Sequence, residues 1–313
     1  MTHIFIDESG VFKIAPAEKN PWSVVGALAI AEKNLERLKL VVEGLPAQLG
    51  LEEGIEPKGT SFKSDEQLIY FVDQLKLCDL VFVPGVVFLD ETQAPRFEKI
   101  AGIDRELPEE DKSIFRSKTL QNYIQSNVLL DLLNAALWGS ILHFSRTDPS
   151  SLQAFKWMAD EKAIVENFVS SKINDFISGY GNNFTHTIAP SLSMNLGPFY
   201  QGNGTADHSH FFPRKVFSDF GFYESTSLPG PTAVDILSNA FRRCLRGNWN
   251  DPEMVATALG TLMVDQKPYL TIKPREAGLQ FNSTILPIAD KFKFLTGAKH
   301  AIIDRLLSGI PTR

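Results

Sequence analysis

The sequence predicts an α/β fold, in which a sheet is flanked by helices, with an extra helical segment at the C-terminal end. Two patterns favour this class: short β-rich apolar runs alternate along the chain with stretches of helical periodicity. The third observation is a hydrophobic fraction of 43% over 313 residues, which is enough apolar material for a substantial core. Either one elaborated α/β domain or two smaller domains fit this length.

The first elements alternate between strand and helix. The first strand, HIFID, is a short apolar run bounded by polar turn residues, as expected of a buried strand. Pro84–Gly85 interrupts the third β-rich run and indicates a bulge or an edge strand there, because proline cannot donate a ladder hydrogen bond. In chain order, strands are predicted at 3–7, 22–30 and 80–89, and helices near 35–42 and 65–77.

The middle of the chain contains one long predicted helix and one ambiguous stretch. Apolar residues at helical spacing predict a helix over about 113–141, which the sequence SRTDPSS ends. The stretch 152–177 fits one continuous helix, or a strand FKWMAD followed by a helix from Ala163. Beyond it, two runs are strand-like, at 184–194 and 211–220.

A clear helix follows in PGPTAVDILSNAFRRCLRG. Pro231 and Thr232 lie at its predicted start, and Gly247 comes just after its end, where glycine is typical. The remaining residues are mostly helical by pattern and contain no recognisable motif. We therefore predict an α/β domain over 1–247 and a mostly helical C-terminal extension, 248–313, packed on it.

Cysteine and histidine are too sparse to predict a zinc site or a disulfide framework. Cys78 and Cys244 are far apart in the sequence, and their small number suits a reducing compartment. His208 and His210 form the one close histidine pair in the sequence. On a strand they would share a face and could hold a metal, but their glycine-rich and polar surroundings favour a loop.

The charge and the apolar runs restrict the classes of partner. No basic and apolar leader begins the sequence, and the apolar runs are interrupted by polar or helix-breaking residues. We therefore expect a cytoplasmic protein without a membrane partner. The net charge of −6 argues against indiscriminate polyanion binding, which needs clustered lysine and arginine, but it leaves a local basic cleft possible.

Asp7 and Glu8 lie side by side at the end of the first predicted strand. Strand geometry directs their side chains to opposite faces unless the strand ends between them. DESG is equally compatible with a polar turn. It is not an aspartic-protease motif, because Glu8 interrupts it, and it lacks one of the two glycines of a serine nucleophile elbow.

Two further segments carry carboxylates whose roles depend on their surroundings. The Gly- and Pro-rich stretch EPKG is a solvated loop, or it places Glu56 on a metal and Lys58 on a phosphate oxygen. Asp160 and Glu161 lie on the solvated face of a helix if one helix covers 152–177. If FKWMAD is a strand, Asp160 stands at its C-terminal end, where ligands collect in open α/β sheets.

Asp235 lies near the start of the helix PGPTAVDILSNAFRRCLRG. With Thr232 it matches a capping box, in which an acid complements the helix dipole. The same position could direct its carboxylate toward a neighbouring strand end. Arg242 and Arg246 share roughly the same face of the helix and could lie over a polyanion.

These motifs resemble those of a known family. The stretches IFIDESG (4–10), EPKG (56–59), MADEK (158–162) and ESTSLPGPTAVDILSNAFRR (224–243) occur in the order found in the bacterial and phage domain-of-unknown-function 3800 family. That family is regarded as having a ribonuclease-H-like fold. The resemblance covers roughly 1–247, and GPTAVD departs from the family's usual Gly-Leu-Gln-Leu-Ala-Asp.

The resemblance implies a ribonuclease-H-like mixed sheet whose central first strand ends in a metal-binding acid. Two Mg²⁺ ions about 3.5–4 Å apart would clamp the attacking water and the leaving oxygen of a phosphoryl displacement. Such ions need several converging oxygen ligands, so the implied cofactor is Mg²⁺ or Mn²⁺ and the implied partner is nucleic acid. The implied catalytic set is Asp7, Glu8, Glu56, Lys58, Asp160 and Asp235, with Asp7, Glu8, Asp160 and Asp235 as metal ligands.

The protein is predicted to be a divalent-metal-dependent phosphodiester hydrolase. The more specific prediction is that it is a nuclease. The main rival is a non-catalytic binding or scaffold protein that keeps the fold without a working metal site. The acidic charge and the altered GPTAVD segment favour that rival. A small-molecule phosphohydrolase with the same metal geometry is a third possibility. The family resemblance also implies a setting in mobile elements or phage defence.

Overall fold

The computed structural model describes residues 1–16, 19, 21–52, 54–89, 91, 109–160, 200–202, 209–211, 216–223, 228–264 and 269–270. The strands are β1 (Thr2–Ser9), β2 (Trp22–Ala31), β3 (Leu80–Phe88), β4 (Phe155–Asp160), β5 (Tyr200–Gly202), β6 (Ser209–Phe211), β7 (Phe220–Tyr223) and β8 (Tyr269–Leu270). The α-helices are α1 (Leu35–Glu43), α2 (Leu45–Leu49), α3 (Asp65–Lys76), α4 (Glu109–Thr147), α5 (Pro229–Leu245) and α6 (Pro252–Gly260).

The main sheet is mixed and has β1 near its centre. Its strand order is β7-β4-β1-β2-β3-β8, and β5 and β6 form a separate two-stranded sheet. β1 and β3 are antiparallel to β2, whereas β4 is parallel to β1 and β7 is parallel to β4. The predicted α/β fold with a mixed, helix-flanked sheet is confirmed, and its topology is compatible with a ribonuclease-H-like fold.

The two faces of the sheet are covered by different helices. Alternate residues of β1 point to opposite faces, so Ile4 and Ile6 pack on the side of α4, and Phe5 packs on the side of α1, α3, α5 and α6. These side chains are nearly fully buried, and each such burial stabilises the fold by roughly 1.5–3 kcal/mol. Both faces are buried, which explains why β1 and β2 read as nearly continuous apolar runs.

Helix α5 crosses the sheet at very close range. A Cβ on Gly230 would lie 2.4 Å from the Phe5 ring, and one on Gly26 would lie 2.1 Å from Ser238 Oγ. Further along α5, the rings of Phe241 and Phe82 pack with centroids 6.2 Å apart. The helix therefore passes over β1, β2 and β3 in turn, and its first turns lie at β1.

Most predicted elements agree with the structure. FKWMAD is a strand, β4, so the ambiguity over 152–177 is resolved for its first part. The long helix predicted over 113–141 is α4, which extends over Glu109–Thr147. Gly247 has the left-handed φ of +68° expected just after a helix end. Among the described residues, no helix combines the length and the apolar composition required to cross a bilayer.

Of the two alternatives predicted for Pro84–Gly85, the bulge is wrong, and β3 is next to the edge strand β8, which pairs with it only at Gly85 and Val86. β2 and β3 pair residue for residue from Trp22 with Phe88 to Ile30 with Leu80. The Phe82 amide points away from β2 and donates to the Leu262 carbonyl at 2.8 Å. Two residues on, Pro84 therefore places its missing N–H on the same outer side of β3, where the ladder with β2 does not need it.

Two other predictions are wrong, and some lie outside the described residues. The run 211–220 is not one strand, because Val216–Asp219 turns and β7 begins at Phe220. The turn is stabilised by burial of Val216, whose carbonyl accepts from the Trp157 indole at 2.9 Å. The histidine pair is not wholly in a loop, since His210 belongs to β6.

Several other predictions lie outside the described residues. They concern the run 184–194, the helix from Ala163, Glu161, His208 and residues 271–313.

The described part of the C-terminal extension contributes to the main core. Helix α6 follows α5 closely, and Val255, Leu259 and Met263 belong to the same apolar cluster as Phe5 and Phe241. The Asp65 carboxylate on α3 accepts the Asn250 and Asp251 amides at 3.2 and 2.6 Å, which ties the start of α6 to α3. Residues 248–264 are thus packed into the α/β layer that carries α5.

Candidate metal centre

Three side chains form a row at the C-terminal ends of neighbouring parallel strands. β1 and β4 pair up to Ile6 with Ala159, so the next residues, Asp7 and Asp160, follow side by side. Asp160 in turn pairs with Tyr223 on β7. Asp7 alternates in step with Phe5, which packs on the α5 side of the sheet. The row therefore opens on the face that α5 covers.

Helix α5 brings Asp235 to this row. The capping box predicted from Thr232 is wrong, because the helix already begins at Pro229 and Leu228 is its N-cap residue. Thr232 lies inside the first turn, where its hydroxyl donates to the Leu228 carbonyl at 3.1 Å. The Asp235 carboxylate instead accepts the Gly59 amide. Asp235 thus lies between the loop that ends at Gly59 and the end of β1.

The acids act on one another electrostatically. Burial, the largest cause, and the negative charges of Asp235, Asp160 and Glu8 together raise the pKa of Asp7 to about 8, although the hydrogen bond from the Glu8 amide lowers it. Burial also raises the pKa of Asp235, and Glu56 and Asp160 add to this effect, whereas Lys58 opposes it. Acids from four separate segments of the sequence are therefore close enough to influence each other's ionisation.

Tyr223 is a polar side chain of this site that the sequence did not reveal. Its hydroxyl donates to the Ile6 carbonyl at 3.2 Å, which ties the end of β7 to the residue before Asp7. Burial raises the pKa of Tyr223, and the charges of Asp7, Asp160 and Asp235 raise it further. The tyrosine therefore stays a neutral donor. No sequence signal pointed to it, because β7 has four residues and no motif of its own.

Glu8 lies apart from the other acids. The strand continues to Ser9, so Asp7 and Glu8 point to opposite faces, as strand geometry predicts. On the α4 side, the Gln125 amide donates to the Glu8 carboxylate. Burial, the largest cause, and the charge of Asp160 raise the pKa of Glu8 to about 8, although the hydrogen bond from Gln125 lowers it. We therefore leave Glu8 out of the ligand set.

Glu56 and Lys58 form the outer part of the site. Both side chains are exposed, and the loop that holds them continues into a short 3₁₀ turn, Gly59–Ser61. A Cβ on Gly59 would lie 2.3 Å from the Asn239 Cβ, so the loop touches α5 directly. Glu56 and Lys58 thereby reach Asp235 from the solvent side, where a lysine can meet a phosphate oxygen.

The donor set suits a hard divalent cation, but the acids do not converge on one point. Carboxylate oxygens are the ligands that Mg²⁺ and Mn²⁺ prefer. However, within the described ranges no three side chains of aspartate, glutamate, histidine or cysteine are grouped closely enough to hold an ion. Asp7 Oδ1 instead accepts the Glu8 amide at 2.7 Å, so it faces the backbone. Ion binding would require these described acids to lie closer together than they do here.

No family model matches this chain, and no curated protein or solved structure is significantly similar to it. The resemblance described above is therefore carried by four short motifs, and membership of that family stays a prediction. Three of those motifs contribute an acid to the group of Asp7, Asp160 and Asp235. A fourth contributes Glu56 and Lys58 beside Asp235.

Proposed function

We propose that the protein is a divalent-metal-dependent phosphodiester hydrolase, and specifically a nuclease, with Asp7 as the central metal ligand. Asp160 and Asp235 complete the ligand set. The observation that carries the proposal is the adjacency of Asp7 and Asp160 on the parallel strands β1 and β4, at a site where burial, Asp235 and Asp160 all raise the pKa of Asp7. Buried like charges are unfavourable in a purely structural role and are typical of functional sites.

The chain's own residues have distinct parts in this proposal. Bound Mg²⁺ or Mn²⁺ would supply Lewis-acid stabilisation and an activated water. Asp7, Asp160 and Asp235 would hold the metal through their carboxylate oxygens, and Tyr223 holds the strand end next to Asp7 through the Ile6 carbonyl. Lys58, exposed beside Asp235, neutralises charge on the phosphate of the substrate.

An activity assay with matched variants tests this proposal. Wild type, Asp7→Asn and Asp235→Asn are incubated with Mg²⁺ or Mn²⁺ and single-stranded, duplex and hybrid substrates. We expect each variant to lose at least ~100-fold in rate, because metal stabilisation of the transition state amounts to several kcal/mol. Asp73→Asn, on the exposed side of α3, is the control. Unchanged activity in Asp7→Asn would remove Asp7 from the mechanism.

A second candidate is a non-catalytic binding protein with the same fold. The separation of the acids favours it, since among the described residues no three of them are grouped for one ion. It predicts that the wild type hydrolyses none of these substrates with either metal. It also predicts that Asp7→Asn and Asp235→Asn leave binding of Mn²⁺ at the wild-type level.

A further inference from the structure

One stripe of α5 carries polar side chains that lead away from the proposed metal centre. The stripe consists of four residues at spacings of four, three and four, which puts them on one side of the helix: Asp235, Asn239, Arg242 and Arg246. The fully buried residues Leu237, Phe241 and Cys244 lie on the opposite side. The stripe therefore lies on the side of α5 that meets the end of β1 and the loop before Gly59, where Asn239 Nδ2 donates to Ser9 Oγ at 3.4 Å.

The arginine next to this stripe has a structural role that Arg242 lacks. Arg243 donates to the Gly59 and Phe62 carbonyls at 2.9 and 3.3 Å, and its guanidinium lies 3.6 Å from the Trp249 ring centroid. By contrast, the Nε of half-buried Arg242 is buried without a hydrogen-bond partner. Within the described part of the chain, Arg242 forms no ion pair with a carboxylate.

The two arginines of the stripe are also close to each other. Burial lowers the pKa of Arg242, and the like charge of Arg246 lowers it further. Arg246 donates to the Lys19 carbonyl at 3.1 Å, so its guanidinium lies beside the connection between β1 and β2. An anion that binds between two neighbouring cations offsets their repulsion. Guanidinium groups are suited to phosphate, which they hold through two parallel hydrogen bonds.

We propose that Arg242 and Arg246 bind the phosphate backbone of a nucleic-acid strand whose scissile phosphate occupies the metal centre. This inference rests on the proposed function, and it assigns a polymeric substrate to that site. With 1.5 Å of rise per residue, the two arginines lie about 10 and 16 Å from Asp235 along the helix axis. For a strand with the stacked rise of about 3.4 Å per nucleotide found in a duplex, they contact phosphates about three to five nucleotides from the cleaved bond.

Binding of labelled oligonucleotides at several salt concentrations tests the proposal. Fluorescence anisotropy is measured in EDTA with a single-stranded DNA and a single-stranded RNA of 12 nucleotides. We expect Arg242→Gln and Arg246→Gln each to weaken binding about 5-fold at 0.1 M salt, and to reduce the slope of log affinity against log salt by about 0.7. The effect should appear with both DNA and RNA, because the contacts are to phosphates.

Two further variants keep the test decisive. Arg37→Gln removes one positive charge at the other end of the sheet, where Arg37 donates to the Leu77 carbonyl at 2.6 Å, and it should retain the wild-type slope. Arg242→Lys keeps the charge and the stem, so it should retain most of the slope even if Arg242→Gln unfolds. An unchanged slope in Arg246→Gln and in the double variant Arg242→Gln/Arg246→Gln would overturn the proposal.

The proposed function is assessed separately, by metal-dependent hydrolysis of a small chromogenic phosphodiester by the wild type. If that hydrolysis is absent but the arginine variants reduce the salt slope, the nuclease proposal fails and the backbone contact stands. If hydrolysis is present but the slope is unchanged, the arginine site fails and the metal centre stands.

Discussion

Asp7 is the residue on which the site depends, because its surroundings oppose its charge. Its side chain is largely buried at the end of β1, Asp235 and Asp160 add negative potential, and one backbone amide, from Glu8, stabilises its carboxylate. A divalent cation would relieve this repulsion and compete with the proton. At the residue scale, we therefore expect the stability of the protein to depend on pH, on bound metal and on the charge of residue 7.

Removing the Asp7 charge should stabilise the metal-free protein at high pH. The pKa of Asp7 rises from 3.8 to about 8 on folding, so its contribution to stability is present at low pH and is lost as the pH rises toward 8. Asp7→Asn lacks this titration but keeps an oxygen for the Glu8 amide. The full shift would amount to roughly 5 kcal/mol between pH 4.5 and 8.5, and because solvent screens this partly exposed site, we expect the stability of the variant relative to wild type to increase by roughly 1–3 kcal/mol over this range.

Urea unfolding in EDTA at both pH values measures this difference. The exposed Asp73→Asn on α3 is the control, and its difference from the wild type should be the same at both pH values. A difference for Asp7→Asn that is also independent of pH would mean that the charge of Asp7 is not opposed in the folded protein.

At the scale of elements, the position of α5 on the sheet determines where Asp235 lies. Gly26 on β2 pairs with Asp7 on β1 and also lets α5 approach closely at Ser238. Asp65 fixes the neighbouring layer, since it accepts two amides ahead of α6. Small residues and buried hydrogen bonds, rather than the acids themselves, therefore hold the site elements together.

Gly26→Ala should destabilise the protein by about 2 kcal/mol, because the new Cβ would lie 2.1 Å from Ser238 Oγ and 2.8 Å from the Phe82 ring. Gly221→Ala on β7 is the matched control, since no atom lies within 4 Å of the added Cβ. Chemical unfolding at pH 7 measures both. Equal stability of the two variants would show that α5 does not pack as closely as described.

Asp65→Ala should destabilise the protein by about 3 kcal/mol. The substitution leaves the Asn250 and Asp251 amides without their acceptor in a part-buried setting, and the Asp65 residue that is removed is only 3% exposed. Asp73→Ala on the same helix removes an exposed carboxylate that pairs with Lys76 at 2.6 Å, so it should change the stability by less than about 0.5 kcal/mol. Thermal unfolding of both variants decides whether Asp65 anchors α6.

At the scale of the whole molecule, the sequence predicted the layers and three acids of the site. Asp7, Asp160 and Asp235 were recognisable because each lies at a strand end or near a helix start, where local patterns are readable. Tyr223 and Asn239 were not recognisable, because their contacts depend on the pairing of β7 with β4 and on the distance of α5 from the loop before Gly59.

Local sequence patterns gave wrong predictions for the start of α5 and for the role of Glu8. Thr232 fits a capping box in the sequence, yet the helix starts three residues earlier, at Pro229, where proline is favoured in the first turn. Glu8 follows Asp7 in the motif, but the period of the strand sends it to the face of α4 and to Gln125. The sequence thus identified which acids belong to the site region, but not which of them lie on the same face of the sheet.

Calorimetric titration with Mn²⁺ measures whether Asp7 and Asp235 belong to one cation site. Wild type, Asp7→Asn, Asp235→Asn and the control Asp73→Asn are compared at pH 8, where proton competition for Asp7 is reduced. We expect wild type and Asp73→Asn to bind Mn²⁺ alike, and both site variants to lose at least ~10-fold in affinity. Equal Mn²⁺ affinity in all four proteins would contradict a metal centre at the end of β1.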